Sequence, residues 1–289
     1  MKNIVEKGAL YIVSTPIGNL QDISLRALEI LKTAEVIFAE DTRVTHKLLA
    51  QYAIKPPQIY SCHEHNEKRQ TEVIDTLLQK GQTVALVSDA GTPLICDPGY
   101  YIVHQIREKG YRVIPIPGAS ALISALSAAG LPSDRFQFLG FLPAKSQARE
   151  NTLTQIKSSH ITSICYESTH RIIACLEAID RLMPKRYIVL AKELTKRHEQ
   201  FFFGQASEIL AKMQADPRLC KGEFVLLFQG SDHKTEPESE KISIRETELL
   251  QILSDKLPIK QAVELAVKIS KGRKNDLYKK ALKRQAQVK

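Results

Sequence analysis

The sequence predicts an α/β protein made of two α/β domains and a small helical region at its C-terminal end. Three observations carry that expectation. Through the first 117 residues, short β-branched apolar runs alternate with helical patterns, the signature of a parallel sheet. One strand-to-helix loop, Ser88-Asp89-Ala90-Gly91-Thr92-Pro93-Leu94-Ile95-Cys96-Asp97-Pro98-Gly99, holds two Gly, two Pro and two Asp. That composition turns the backbone sharply and lets it approach a ligand closely. Beyond residue 118, strand follows strand more often, which favours a more antiparallel second sheet.

Taken in order, residues 8–14 read as the first strand and Thr15-Pro16-Ile17-Gly18-Asn19-Leu20 as the loop after it. Ser24 is placed to cap a helix whose apolar stripe is Leu25, Leu28, Ile30 and Leu31. Residues 35–39 read as a second strand, ending in the charged cluster Glu40-Asp41-Thr42-Arg43. A short strand over 58–61 leads through Cys62-His63-Glu64-His65-Asn66 into a helix reaching about residue 80. Strands over 84–88 and 112–116, with a helix over 100–109 between them, complete the first sheet. Pro117-Gly118-Ala119-Ser120-Ala121 is the hinge, followed by a small-residue helix to residue 129. The second half reads as strands over 136–140, 161–166, 186–193, 198–203 and 223–229, with helices over 147–157, 171–182 and 207–214. A run without apolar residues begins at Gly230, and helices follow over 244–253, 258–270 and 274–284. The expected domains are therefore 1–117 and 118–230, a linker over 231–243 and a basic helical region over 244–289.

Composition bounds the function class. A chain of 289 residues with 43% hydrophobic and 25% charged residues is an ordinary globular protein. The longest uncharged run, 113–133, is broken by Pro115, Pro117, Gly118, Gly130 and Pro132, so no membrane span is expected. No signal peptide is visible. Cys62, Cys96, Cys165, Cys175 and Cys220 show no CxxC spacing and leave an odd one out, which fits reduced thiols in the cytoplasm. The net charge is +9, of which residues 271–289 supply +7, with eight Lys or Arg against Asp276 alone. Such a tail fits a polyanion, RNA or DNA ahead of an anionic membrane, and its Lys279, Lys280, Lys283 and Arg284 are the candidate contacts. A solvated helix end remains the bland alternative.

Several common chemistries are not supported. There is no GxGxxG after the first strand, no P-loop and no Gly-x-Ser-x-Gly elbow. Cys62, His63 and His65 lie too close together along the chain to suit one ion, so no metal site is expected.

Seven blocks, in order, carry a resemblance: Ser14 to Leu20, Glu40 to Arg43, Ser88 to Gly99, Pro117 to Ala121, Gly140-Phe141-Leu142-Pro143, Tyr166-Glu167-Ser168-Thr169-His170-Arg171, and Lys192-Glu193-Leu194-Thr195-Lys196. Together they resemble the bacterial ribosomal RNA small-subunit methyltransferase I family, ribose 2′-O-methyltransferases of the tetrapyrrole methylase superfamily. Leu257 to Ala262 and Asn275 to Tyr278 look like that family's C-terminal region. The resemblance implies a tetrapyrrole-methylase-like fold whose two α/β domains enclose S-adenosylmethionine. It also implies methylation of a cytidine ribose in the decoding centre of 16S rRNA, with the 30S subunit as the setting and a homodimer as the assembly. Carried over by position, it puts Ile17, Gly18, Asp89, Ala90, Gly91, Thr92, Pro93, Ser120, Ala121 and Tyr166 against the cofactor.

A ribose hydroxyl is a weak nucleophile at neutral pH, so a methyl transfer to it needs alignment and a group that accepts its proton. Three charged clusters at strand ends offer candidates: Glu40, Asp41 and Arg43; Glu167, His170 and Arg171; and Glu193, Lys196, His198 and Glu199. Glu193 or Lys196 is expected in the chemistry, and Arg43 and Arg171 at RNA phosphates, although surface ion pairing explains such clusters equally simply. Two rivals stay open. One is a relative in the same superfamily acting on a small tetrapyrrole or a protein side chain; the other is a non-enzymatic RNA-binding module.

Overall fold

The computed structural model describes residues 5–231, 249–250, 252–254, 257–270, 276–278 and 281. The linker expected from 231 and the tail residues Lys279, Lys280, Lys283 and Arg284 lie essentially outside the described residues. The chain divides into two compact units, Met1–Ser231 and Asp232–Lys289.

The first unit holds two five-stranded sheets. The first sheet consists of β1 (Ala9–Val13), β2 (Val36–Ala39), β3 (Gln58–Ser61), β4 (Val84–Val87) and β5 (Arg112–Ile116), in the spatial order β3-β2-β4-β1-β5. All its pairings are parallel. Every residue of β1, β2 and β4 is buried, because helices cover both faces. On one face α1 (Leu25–Thr33) and α2 (Thr42–Gln51) set Ala27, Ile30, Leu31 and Leu49 into the core. On the other, α3 (Glu67–Gln79) and α4 (Tyr100–Glu108) contribute Ile74, Leu78, Ile102 and Ile106. Each buried Leu or Ile among these is worth roughly 1.5–3 kcal/mol.

Helix α2 is absent from the sequence expectation, which saw only the charged cluster before it. The cluster is the helix start: Asp41 caps it, its Oδ1 accepting from the Arg43 backbone N at 2.8 Å. Thr42, Val44, Thr45 and His46 weaken the intrinsic helix signal of this stretch, so the cap is its best local cue.

The second sheet runs β6-β7-β10-β8-β9, from β6 (Phe136–Phe141), β7 (Thr162–Ser168), β8 (Ile188–Lys192), β9 (Gln200–Gly204) and β10 (Glu223–Phe228). Only β6 and β7 pair in parallel, so the sheet is mainly antiparallel, as the crowding of strands predicts. The small-residue helix α5 (Ala121–Ala129) packs on β8 and β10 with Leu122, Ala125, Leu126 and Ala129. The opposite face is covered by α6 (Ser146–Ser158), α7 (Ile172–Leu182) and α8 (Ala206–Ala215) around Leu153, Leu176, Ile179 and Ile209. Helix α5 starts at Ala121 rather than 119, since Ser120 is extended at its N-cap.

The second unit has its own small core, in which α9 (Ile259–Ser270) contributes Val263 and Ala266 beside Leu250, Leu277 and Ala281. Pro258 sits just ahead of α9, and its carbonyl accepts from Gln261 N at 2.9 Å and Ala262 N at 3.0 Å. Proline suits that position because it has no N–H to leave unpaired.

Candidate active site

In a parallel sheet the chain leaves every strand at the same edge, so the loops after β1, β4 and β5 meet there. Short bonds knit them. Thr15 and Gly91 exchange backbone hydrogen bonds of 2.8 and 3.0 Å, forming an isolated antiparallel bridge. The Thr15 hydroxyl donates to Ser88 O at 3.2 Å. The Ser14 and Thr92 hydroxyls lie 2.9 Å apart, and Thr92 Oγ1 donates to Ala119 O at 3.1 Å. Gly118 is needed where the hinge passes this knot, because a Cβ on it would lie 2.7 Å from Ser14 Cβ.

Above these loops lies a cavity of about 680 Å³, shared with the second sheet. Its first wall is acidic and small. Ala90, Gly91, Ser120 and Ala121 form a close-approach surface, and Glu40, Asp89 and Asp97 bring carboxyl groups to it. Asp89 Oδ1 accepts from Asp41 N at 2.9 Å, which fixes the carboxylate beside the end of β2. Burial raises the Glu40 carboxyl, and the Asp89 charge adds to the effect. Asp97 is pushed up to about 6 by burial and by the charges of Glu40 and Asp89, against the Ser88 hydroxyl, which pulls it down.

The second wall is aromatic and ion-paired. Tyr166 stands at its centre, its ring edge-on to Phe138 and Phe141 at 4.9 and 5.4 Å between centroids. Its hydroxyl oxygen accepts from Leu122 N at 3.2 Å, and burial pushes the phenol up to about 12. Glu193 follows β8 and accepts from Glu223 N and from Lys196 Nζ, each at 3.0 Å. Burial alone would raise its carboxyl, but these donors outweigh it and hold it below the ordinary glutamate range. Lys196 Nζ also reaches Glu223 Oε2 at 3.0 Å, and the two carboxylates raise the ammonium against the opposing effect of burial.

Strain gathers at both walls. Of the five non-glycine residues with left-handed φ among the described residues, Leu94 and Cys96 lie in the first-wall loop, and Glu193 and Thr195 in the second-wall turn. Such backbones persist only where their surroundings hold them.

Of the residues expected at the cofactor, Ile17, Asp89, Ala90, Gly91, Thr92, Ser120, Ala121 and Tyr166 all line the cavity. Gly18 does not; it lies against the turn after β8, where a Cβ would collide with Lys196 Cγ and approach Thr195 Oγ1 to 2.8 Å. Asn19 N bonds Thr195 Oγ1 at 3.1 Å beside it, so this glycine brings the two halves together. Pro93 is likewise off the wall, although Thr92 before it is on it. Of the two catalytic candidates, Glu193 lines the cavity and Lys196 stands behind it.

The two arginines expected at phosphate differ. Arg43 is 85% exposed and pairs with Asp41 at 2.6 Å. Arg171 is spent internally: it pairs with the buried Glu167 at 2.7 Å and donates to Ser168 Oγ at 3.0 Å and Leu142 O at 3.2 Å. Its guanidinium holds the cavity rim together, which leaves it poorly placed to hold phosphate. The expectation passed over Asp97, Phe141, Gly222 and Glu223 as site residues. Asp97 lay inside the quoted loop, whereas Gly222 and Glu223 reach the cavity only through the pairing of β10 with β7 and β8.

No group of three or more His, Cys, Asp or Glu among the described residues is arranged to hold a metal ion. The five cysteines are unpaired.

Residues 9–210 match the model of the tetrapyrrole (corrin/porphyrin) methylases, and residues 245–285 that of the RsmI C-terminal HTH domain. The chain is similar to the ribosomal RNA small subunit methyltransferase I of Escherichia coli O157:H7, with 49% identity over 96% of each chain. Among solved structures it is similar to a diphthine synthase, with a TM-score of 0.61, 18% identity, and coverage of 77% of this chain and 90% of that one. The uroporphyrin-III C-methyltransferase of Thermus thermophilus complexed with S-adenyl homocysteine gives a TM-score of 0.50 at 16% identity, covering 76% of this chain and 96% of that one. These structural likenesses speak for the fold alone.

Proposed function

Because the chain belongs to the tetrapyrrole methylase family, and within it to the ribosomal RNA small subunit methyltransferase I family, we propose that it transfers a methyl group from S-adenosylmethionine to the ribose 2′-oxygen of a cytidine in the decoding centre of 16S rRNA. The observation that carries the cofactor reading is the cavity's first wall. S-adenosylmethionine bears a sulfonium and an ammonium group and no phosphate, and a wall with Glu40, Asp89 and Asp97 over a floor of Ala90, Gly91, Ser120 and Ala121 fits such a cation. The volume of about 680 Å³ suits a ligand of that size. When bound, the cofactor supplies an electrophilic methyl group with a neutral leaving group.

The chain's own residues bind, orient and exclude. Ile17 and Tyr166 offer apolar faces for the adenosine end, and the hydrogen bonds at Thr15, Gly91 and Thr92 tie the loops of the floor together. Glu193, bonded to Glu223 N and Lys196, is a fixed element of the second wall; a carboxylate so supplied with donors is a weak base. Arg43, exposed at the same sheet edge, is the phosphate contact of choice, and the basic tail with Lys279, Lys280, Lys283 and Arg284 supplies further ones. The setting is the 30S subunit in the cytoplasm and the enzyme is a homodimer. Unpaired cysteines support that compartment, and no described helix is long and apolar enough to cross a membrane.

The test is a calorimetric titration of S-adenosylmethionine into wild type and Asp89→Ala, followed by labelled methyl transfer to 30S subunits and mapping of the modified nucleotide. Binding to wild type and a 2′-O-methylcytidine product support the reading; an unlabelled rRNA removes it. A label on a base instead of a ribose would keep the cofactor and discard the acceptor.

A further inference from the structure

The proton of the ribose hydroxyl needs an acceptor, and the walls described so far supply a poor choice. On the second wall, Glu193 is held ionised by Lys196 and Glu223 N, and Tyr166 keeps its proton with its oxygen against Leu122 N. Glu167 alternates with Tyr166 along β7 and so points to the sheet's other face, where it pairs with Arg171. On the first wall, the three carboxylates Glu40, Asp89 and Asp97 serve the cation under the reading above.

Of the cavity's other titratable side chains, Glu223 pairs with Lys196 and burial raises the Cys96 thiol, which leaves His170, in the loop between β7 and α7. It is the one imidazole there, it is exposed, and among the described residues it makes no hydrogen bond, ion pair or ring contact. Its neighbours are the reverse. Thr169 Oγ1 donates to Gly222 O at 2.6 Å and accepts from Gly222 N at 2.9 Å. Arg171 N donates to Ser168 O at 3.1 Å, and its guanidinium binds Glu167, Ser168 and Leu142. The backbone on both sides of His170 is thus clamped, to the start of β10 on one side and to the cavity rim on the other. A rigid loop that presents one unpartnered imidazole to a cavity is a preorganised site for a proton acceptor.

Resting on the function proposed above, we propose that His170 is a catalytic residue that accepts the proton of the attacking ribose hydroxyl. The O–H bond breaks with its proton passing to the unprotonated ring nitrogen. The electron pair left on oxygen forms the new bond to the methyl carbon, and the pair of the old carbon–sulfur bond stays on sulfur, which leaves neutral. The imidazolium then returns its proton to water, since the residue is exposed. Imidazole suits the task because its ordinary titration lies close to neutral pH.

The test compares wild type with His170→Gln and His170→Ala on 30S subunits. His170→Gln is expected to lower kcat by a factor of roughly a hundred or more. Its calorimetric affinity for S-adenosylmethionine and its KM for 30S subunits should stay within about twofold. The acid limb of the wild-type pH profile should be missing, and added imidazole should restore rate to His170→Ala. The charged groups sharing the cavity, Glu40, Asp89, Asp97, Glu193 and Glu223, remain in both variants, so a limb that survives belongs to one of them. A readout without turnover is diethyl pyrocarbonate modification of His170, followed by mass spectrometry in cofactor-free protein, which 30S subunits should block. Full rate in His170→Gln, or a loss of cofactor or 30S affinity in place of rate, overturns the assignment. If wild type itself binds the cofactor and labels no rRNA, the function reading fails first, and that result is distinct from either of these.

Discussion

The cavity's two walls are built on opposite plans. The first is assembled from loops that leave one parallel sheet at one edge, and its contacts run between short local motifs: Thr15 with Gly91, Ser14 with Thr92, Thr92 with Ala119. The second draws Tyr166 and Glu223 from two strands of a mainly antiparallel sheet and Glu193 from the turn after a third, and it is set by register and by ion pairs. A wall made of loop motifs is held by backbone geometry, whereas one made across strands depends on charged side chains finding each other. The first should therefore respond to mutation mainly in ligand affinity, and the second mainly in stability.

The largest effect is expected at the buried pair behind the second wall. Glu167→Ala strands Arg171 against Leu142 O and Ser168 Oγ, and removal of one partner of a buried pair costs roughly 3–5 kcal/mol. Urea unfolding should show this as a lower midpoint, and a midpoint left in place would break the contrast between the walls. Asp89→Ala should leave the midpoint nearly unchanged but weaken S-adenosylmethionine binding at least tenfold, about 1.4 kcal/mol. Loss of folding instead of affinity would mean that the first wall, too, is held by its charges.

Glu67 sharpens the comparison from beneath the first wall. Its Oε1 accepts from Gly99 N at 2.9 Å, Tyr101 N at 3.0 Å and Ile102 N at 3.3 Å, capping α4 from α3. Glu67→Gln keeps the shape and removes the charge beside the helix dipole, so a cost of about 1 kcal/mol is expected from thermal unfolding.

Asp97 gives an effect confined to a pH window. Its folded value of about 6 lies above the ordinary 3.8, so the folded protein keeps a proton that the unfolded chain has released. That contribution is full at acid pH and is lost as pH rises through about 6. Asp97→Asn should therefore gain stability over wild type above pH 6 and lose that advantage near pH 4, while its affinity for the cationic cofactor falls. The smallest effect is expected at Arg43→Ala, whose exposed pair with Asp41 should leave the melting temperature unchanged. Its salt dependence of 30S binding should flatten by about one unit of slope.

The same contrast explains what the sequence reveals. Much of the first wall was legible because its residues sit in contiguous loops whose Gly, Pro and Asp content has a local meaning: Asp89 to Thr92, Ser120 and Ala121 all reach the cavity, while Asp97 in the same loop was passed over. Gly18 was read as a cofactor contact, yet what requires a glycine there is the turn at Thr195 and Lys196, more than 170 residues away along the chain. Arg171 carries a charge that in sequence suits phosphate, and only the fold reveals Glu167 buried beneath it. Gly222 and Glu223 had no local signal, since their place depends on which strand lies beside β8. Helix α2 escaped because β-branched residues dilute its pattern and its start looked like a strand end.

The Glu67 cap also bears on which nucleotides the protein can confuse with its ligand. The loop from Ser88 to Gly99 runs from a parallel strand into a helix, the position from which many folds grip pyrophosphate with free backbone N–H groups. Here the N–H groups of Gly99, Tyr101 and Ile102 already serve a carboxylate of the protein itself, and the wall beside them is acidic. Adenosine triphosphate, abundant in every cell, shares the adenosine but meets negative charge where its phosphates would need donors. An adenosine conjugate without phosphate is therefore expected to compete better for the acidic cavity than a phosphorylated nucleotide.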